Sequence, residues 1–153
     1  MTNLIRAGAA AATLFVLAGC EEPVGPGQNY AQLQALPTSR ACVSSLPPFG
    51  YWRYGWDSFD QYYVPPNGTI LMGDDGGWCQ IQFQHFFAGR PAQYPLAVKT
   101  PPAHGEVLVG SVGTSLRIAY RPAPGFAGTD DFTVHMTAPN PWDIPVHVIV
   151  VSR

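Results

Sequence analysis

The chain has 153 residues, with eight Lys or Arg against ten Asp or Glu and a formal charge of −2. A near-neutral balance excludes tracking of a nucleic-acid backbone by a basic surface, and the length fits one ordinary domain. Only 12% of residues are charged, beside 16 Gly and 16 Pro; rigid corners and short strands suit that composition better than long helices.

Residues 1–19 read as a targeting segment. Arg6 begins it, and the apolar run Ala9 to Ala18 is too short to span a bilayer as a stable helix. It ends Leu17-Ala18-Gly19-Cys20. This tetrapeptide resembles the bacterial lipobox, in which small residues precede a Cys that becomes the lipidated first residue. The resemblance implies a lipoprotein signal peptide over 1–19 and an acyl group such as palmitate on Cys20. Glu21 at the next position implies, by the same resemblance, anchoring in the outer membrane, with the rest periplasmic or surface-exposed. Acyl chains contribute about 0.8 kcal/mol per buried methylene, so such a terminus holds a protein on a membrane. The plain alternative is a buried helix with an incidental cysteine.

Residues 20–48 read as a flexible tether. Pro23, Gly25, Pro26 and Gly27 open it, and Pro37, Pro47 and Pro48 close it. Its helical hint, Tyr30 to Leu36, is too short to stand alone, and the segment has little apolar surface to offset its ordering entropy. Beyond Cys20 two cysteines remain, Cys42 and Cys79. In an oxidising space an even pair predicts a disulfide; two free buried thiols are the alternative. Spacing of Cys and His offers no zinc ligand set.

The segment 49–66 is rich in aromatic residues. Over 49–63 it reads F-G-Y-W-R-Y-G-W-D-S-F-D-Q-Y-Y. Trp52, Tyr54 and Trp56 share a face if the backbone is extended. Two readings are open. The rings form an exposed platform for a sugar or a protein partner, with Arg53, Asp57 and Asp60 as polar contacts. Or they fold back and cover the domain.

From 67 onward the pattern is that of strands. Asn67-Gly68-Thr69 reads as a turn and Ile70-Leu71-Met72 as a first short strand. Gly73 to Gly77 is a turn. Trp78 to Phe87 alternates, with Cys79, Ile81 and Phe83 on one face and Gln80, Gln82 and Gln84 on the other, as in a half-buried strand. Tyr94 to Lys99 follows as a strand. Glu106 to Val112 and Ser115 to Tyr120 read as a hairpin about Gly113-Thr114.

The stretch 120–132 organises the rest: Tyr120-Arg-Pro122-Ala-Pro-Gly125-Phe126-Ala-Gly128-Thr-Asp130-Asp-Phe132. Alternating runs enter and leave it, while its prolines resist a central ladder and its glycines permit positive φ. This pattern resembles the signature of bacterial Ig-like and cadherin-like repeat domains. Pro101-Pro102-Ala103-His104-Gly105-Glu106-Val107 resembles the segment preceding it in that family. The resemblance implies an all-β fold, an Ig-like antiparallel β-sandwich of about seven strands, placed here at 67–153. It implies contact or adhesion and no chemistry. Where cadherin-like repeats carry an Asp-rich calcium loop, this chain has Ala88-Gly89-Arg90-Pro91-Ala92-Gln93, without carboxylates for a hard cation. Asp74-Asp75 and Asp130-Asp131 read as turn-stabilising pairs.

Tyr120 stands where a tyrosine corner would, its hydroxyl bonding a nearby backbone group. Phe126 and Phe132 are expected to plug the core beside the turn. Phe132 to Met136 and Ile144 to Val151 form the last hairpin, with Ile144, Val146, Val148 and Val150 on one face and His135 and His147 on the other. Two histidines close across the strands would be half a metal site, without a third ligand.

Catalytic motifs are missing: there is no G-x-S-x-G, no H-E-x-x-H and no Cys/His nucleophile pair. The expectation is a non-catalytic, lipid-anchored envelope protein, without cofactor or metal, contacting the membrane and an envelope protein. The alternative is a carbohydrate- or peptidoglycan-binding module using Trp52, Tyr54, Trp56 and Arg53.

Overall fold

A computed structural model describes residues 30–48, 50–53, 61–87, 90–92, 94–137 and 141–152. It is an all-β sandwich, with eight strands in its two main sheets. In chain order these are β1 (Cys42–Ser45), β4 (Gly68–Gly73), β5 (Cys79–Phe83), β8 (Leu96–Thr100), β9 (Gly105–Val112), β10 (Ser115–Pro122), β11 (Gly128–Met136) and β12 (Trp142–Val151). One sheet runs β1-β4-β12-β11-β8 and the other β5-β10-β9. Two small hairpins join them: β2 (Gly50–Arg53) with β3 (Gln61–Val64), and β6 (His85–Phe87) with β7 (Arg90–Ala92).

Period-two patterning dictates this arrangement. Along β12 every second residue is buried, from Trp142 through Ile144, Val146, Val148 and Val150. Those side chains meet Phe132, Val134 and Met136 of β11 and Ile70 and Met72 of β4. Opposite them lie Cys79 and Ile81 of β5 and Leu116, Ile118 and Tyr120 of β10. The β9–β10 hairpin pairs Ser115 with Val112 around the two-residue turn Gly113-Thr114, and Gly113 has φ 59°. A primed turn needs that positive φ, and its twist matches the strands.

The structure departs from the sequence expectation in several places. The sandwich is not wholly antiparallel: β4 runs parallel to β12, with Ile70 beside Val148. Trp78 to Phe87 is not one strand, because pairing with β10 ends at Phe83 and His85–Phe87 turns to pair with β7. Ile70 does not lie in the first strand, since β1 precedes it and pairs Cys42 with Met72.

The largest correction concerns the tether. From residue 30 onward the expected tether is folded. A short helix, α1 (Tyr30–Ala35), lies on the outer face of the three-stranded sheet, and its Leu33 is fully buried. Leu33 meets Trp78 and Ala119, with Leu36, Leu108 and Val112 around them. Gly110 makes the approach possible, because a Cβ there would come within 2.8 Å of Leu33 Cδ1. The helix is too short to persist alone, so packing holds it, and Pro37 ends it. Sequence reasoning missed this because one leucine in six residues makes no periodic pattern.

Cys42 and Cys79 form the expected disulfide, with Cα atoms 5.3 Å apart. It ties β1 of one sheet to β5 of the other. Ser44 adds a second tie, its hydroxyl donating to the Gln80 carbonyl at 2.6 Å.

Candidate functional site

The outward side chains of the five-stranded sheet form two bands. The first is apolar. Val43, Leu71 and Ile149 are direct neighbours across β1, β4 and β12, and Val151 follows Ile149 on the same face. They are 67%, 45%, 41% and 46% exposed, respectively. Single exposed aliphatics are ordinary, but a contiguous group marks a contact surface.

The second band is polar and is organised by cross-strand register. Asp131 pairs with His147, Thr133 with Pro145, and His135 with Asp143. His147 Nδ1 lies 2.7 Å from Asp131 Oδ1, and His135 Nδ1 lies 2.8 Å from Asp143 Oδ1. Lys99 from β8 reaches the other Asp143 oxygen. Its hydrogen bond, then that of His135, holds the Asp143 carboxyl below the usual carboxylate range. The two histidines do not meet each other as expected: antiparallel register sends each to an aspartate and sets them four residues apart along the strands. A shallow groove of 260 Å³ runs beside His147, with Asn67, Thr69, Thr100 and Thr133 on its walls.

A larger groove, 820 Å³, opens at the proline-and-glycine corner between Asp74–Gly76 and residues 103–106 and 121–125. Its charges are largely satisfied. Arg121 pairs with Glu106 and sits 4.8 Å above the Trp78 ring. Asp75 accepts from Gly77 N at 3.1 Å and from Arg40 N at 2.8 Å, the turn-holding role expected of it.

Beneath that groove Asp130 is the organising group. Its buried carboxylate accepts from Ala103 N and His104 N, each at 2.9 Å, and from the Tyr120 hydroxyl at 3.0 Å. Burial alone would raise its pKa; the hydrogen bonds outweigh that and hold it below the ordinary value. Burial first, then the bond and charge of Asp130, push the Tyr120 phenol upward. The Tyr120 hydroxyl thus turns mainly to a carboxylate; its backbone partner, His104 O, lies farther off at 3.5 Å. Phe132 is buried as expected, its ring stacked on Tyr120 at 5.8 Å. Phe126 is half-buried: it packs against the edge of the core and stacks on the exposed His104 ring at 4.4 Å.

Of the other expected site residues, Cys20, Tyr54 and Trp56 lie outside the described residues. Trp52 and Arg53 lie in β2, where Trp52 pairs with Tyr62 and Arg53 with Gln61. Sequence reading missed Val43, Leu71 and Ile149. The run Val148-Ile149-Val150-Val151 held the signal, because an unbroken aliphatic run in a strand puts apolar groups on both faces.

No protein-family model matches the chain. No curated protein matches it either. Solved structures do match, among them an endo-fucoidan hydrolase of glycoside hydrolase family 107, with a TM-score of 0.41 and 12% identity. That likeness covers 56% of this chain and 13% of the enzyme's, and at this level it assigns no activity.

Proposed function

We propose that the chain is a non-catalytic envelope protein, anchored through lipid on Cys20, whose Ig-like sandwich makes contacts with another envelope protein. One observation carries the reading: the aliphatic row Val43, Leu71 and Ile149 lies in water across three adjacent strands. Exposed aliphatics make no contribution to the core, whereas burial against a partner is worth about 25 cal/mol per Å² of apolar area before binding costs. The ladder of β1 also ends at an edge, where a partner strand could add.

The test captures partners from the protein's own membranes with the wild-type chain and with the double variant Leu71→Asp and Ile149→Asp. The expected result is an envelope protein held by the wild type and lost from the variant, with the variant's far-ultraviolet circular dichroism unchanged. Equal capture by both would remove the row from the proposal. A saturable tryptophan-fluorescence change with cell-wall glycans, abolished by Trp52→Ala and Trp56→Ala, would replace protein contact with glycan binding. Radiolabelled palmitate should enter the wild-type chain and not Cys20→Ser.

A further inference from the structure

The polar band of the five-stranded sheet has an internal symmetry. In register, Thr133 and Pro145 form the centre of the β11–β12 pair. An antiparallel pair has a local two-fold axis normal to the sheet. Turned about Thr133 and Pro145, that axis exchanges His135 with His147 and Asp143 with Asp131. The two His–Asp pairs thus occupy related positions, at 2.8 and 2.7 Å, and differ in that Lys99 also binds Asp143.

Each pair prepares its imidazole in the same way. A carboxylate accepts and does not donate, so the ring nitrogen facing it, Nδ1, carries the proton. The neutral ring then keeps its lone pair on Nε2. Both rings are half exposed, at 37% and 49% of their side-chain surface. A carboxylate behind the distal nitrogen of an imidazole is the arrangement that orients histidine for a divalent transition metal. One chain alone is insufficient. The histidines are about 13 Å apart along the strands, at roughly 3.3 Å per residue. Among the described residues no group of three or more His, Cys, Asp or Glu gathers that could hold a metal ion.

We propose that this face binds zinc or a similar borderline transition metal between two copies of the chain. In a second copy laid face to face, related by a two-fold axis that lies parallel to the sheet above Thr133 and Pro145 and perpendicular to the line joining the histidines, His135 of one copy meets His147 of the other. This occurs at two equivalent places, so each ion takes one imidazole from each chain and water completes its coordination. The polar band adjoins the aliphatic row on the same face, with Ile149 two residues from His147 on β12, and the test leaves that row unaltered.

The experiment measures the mass of the tag-free full chain by sedimentation, with zinc chloride and then with EDTA. The expected result is a doubling with zinc that EDTA reverses. His135→Ala and His147→Ala should each stay monomeric at the same zinc concentration, with unchanged far-ultraviolet circular dichroism. Mixed in equal amounts, the two variants should form a zinc dimer holding half the wild-type metal, because one intact site survives. Asp131→Asn should raise the zinc required by about 10- to 100-fold. A chain that remains monomeric at 100-fold excess zinc, or a doubling that persists in the histidine variants, would overturn the proposal.

Discussion

The two sheets of the sandwich end in different outer faces. On the three-stranded sheet, Ala119, Leu108 and Val112 point outward and would lie in water, but α1 and Trp78 roof them. On the five-stranded sheet, Val43, Leu71, Ile149 and Val151 point outward and no described residue closes over them. Both strips have the same chemistry. The chain commits a helix and a glycine to the first, and leaves the second open. A roofed strip belongs to folding, where its side chains stabilise the monomer. An open strip, partly in water, contributes less to the monomer.

The sharpest way to break this comparison is to cut what holds the roof's strand in place. The Cys42–Cys79 bridge closes a loop across a sequence separation of 37 residues, for which the chain-entropy account gives roughly 3–4 kcal/mol. Cys42→Ser with Cys79→Ser should lower stability by about that amount in denaturant titration. The loss should extend to the roof: amides of 33–45 should lose hydrogen-exchange protection before those of β11 and β12. Uniform loss would mean that the N-terminal segment and the sandwich unfold as one unit.

Next in size is a matched pair of truncations. Leu33→Ala removes a fully buried side chain from under the roof and should cost about 2–4 kcal/mol. Leu71→Ala removes a similar side chain from the open row, 45% exposed, and should stay within about 1 kcal/mol. Thermal melts of the two variants decide the matter. Similar losses would show that the open row is part of the core and would withdraw it as a contact surface.

These contrasts also explain what could be read without a structure. Strands with strict alternation were legible: β10, β11 and β12 follow from Leu116-Ile118-Tyr120 and from Ile144-Val146-Val148-Val150, because period two leaves one arrangement with a buried face. The disulfide was legible from cysteine parity. The roof was not, since Leu33 carries the helix alone and its partner surface, Ala119 and Gly110, lies more than seventy residues away in sequence. Register was only half legible. Alternation put His135 and His147 on one face, but which residue stands opposite each depends on where the hairpin closes. A four-residue slip in that closure separates a His–His pair from two His–Asp pairs. Asp130 was read as a turn residue. That its carboxylate would be buried and bind Tyr120 required the approach of residues 103–104, set by the proline corner.

The smallest effect concerns the proline-and-glycine corner at one end of the sandwich. Asp130 has a folded-state pKa below its ordinary value. The unfolded chain therefore binds its proton first as pH falls, and the stability due to Asp130 is present above the ordinary carboxylate value, near 4. It is lost as pH drops through the lower folded value. Tyr120 behaves oppositely. Its folded pKa is raised, so its contribution is complete below the ordinary phenol value, about 10, and declines as pH rises beyond it. The contribution of this pair should thus be flat between those limits and fall at both ends. Tyr120→Phe leaves the ring packing but deletes the donor to Asp130, at a cost of about 1–2 kcal/mol. It should remove the alkaline decline due to this group and weaken the acid one, because Asp130 keeps its bonds from Ala103 and His104. An unchanged alkaline limb in that variant would place the titrating group elsewhere. A change in zinc response or partner capture would mean that the corner and the open face are coupled through Asp131, whose N–H donates to Asp130 at 3.0 Å while its carboxylate pairs with His147.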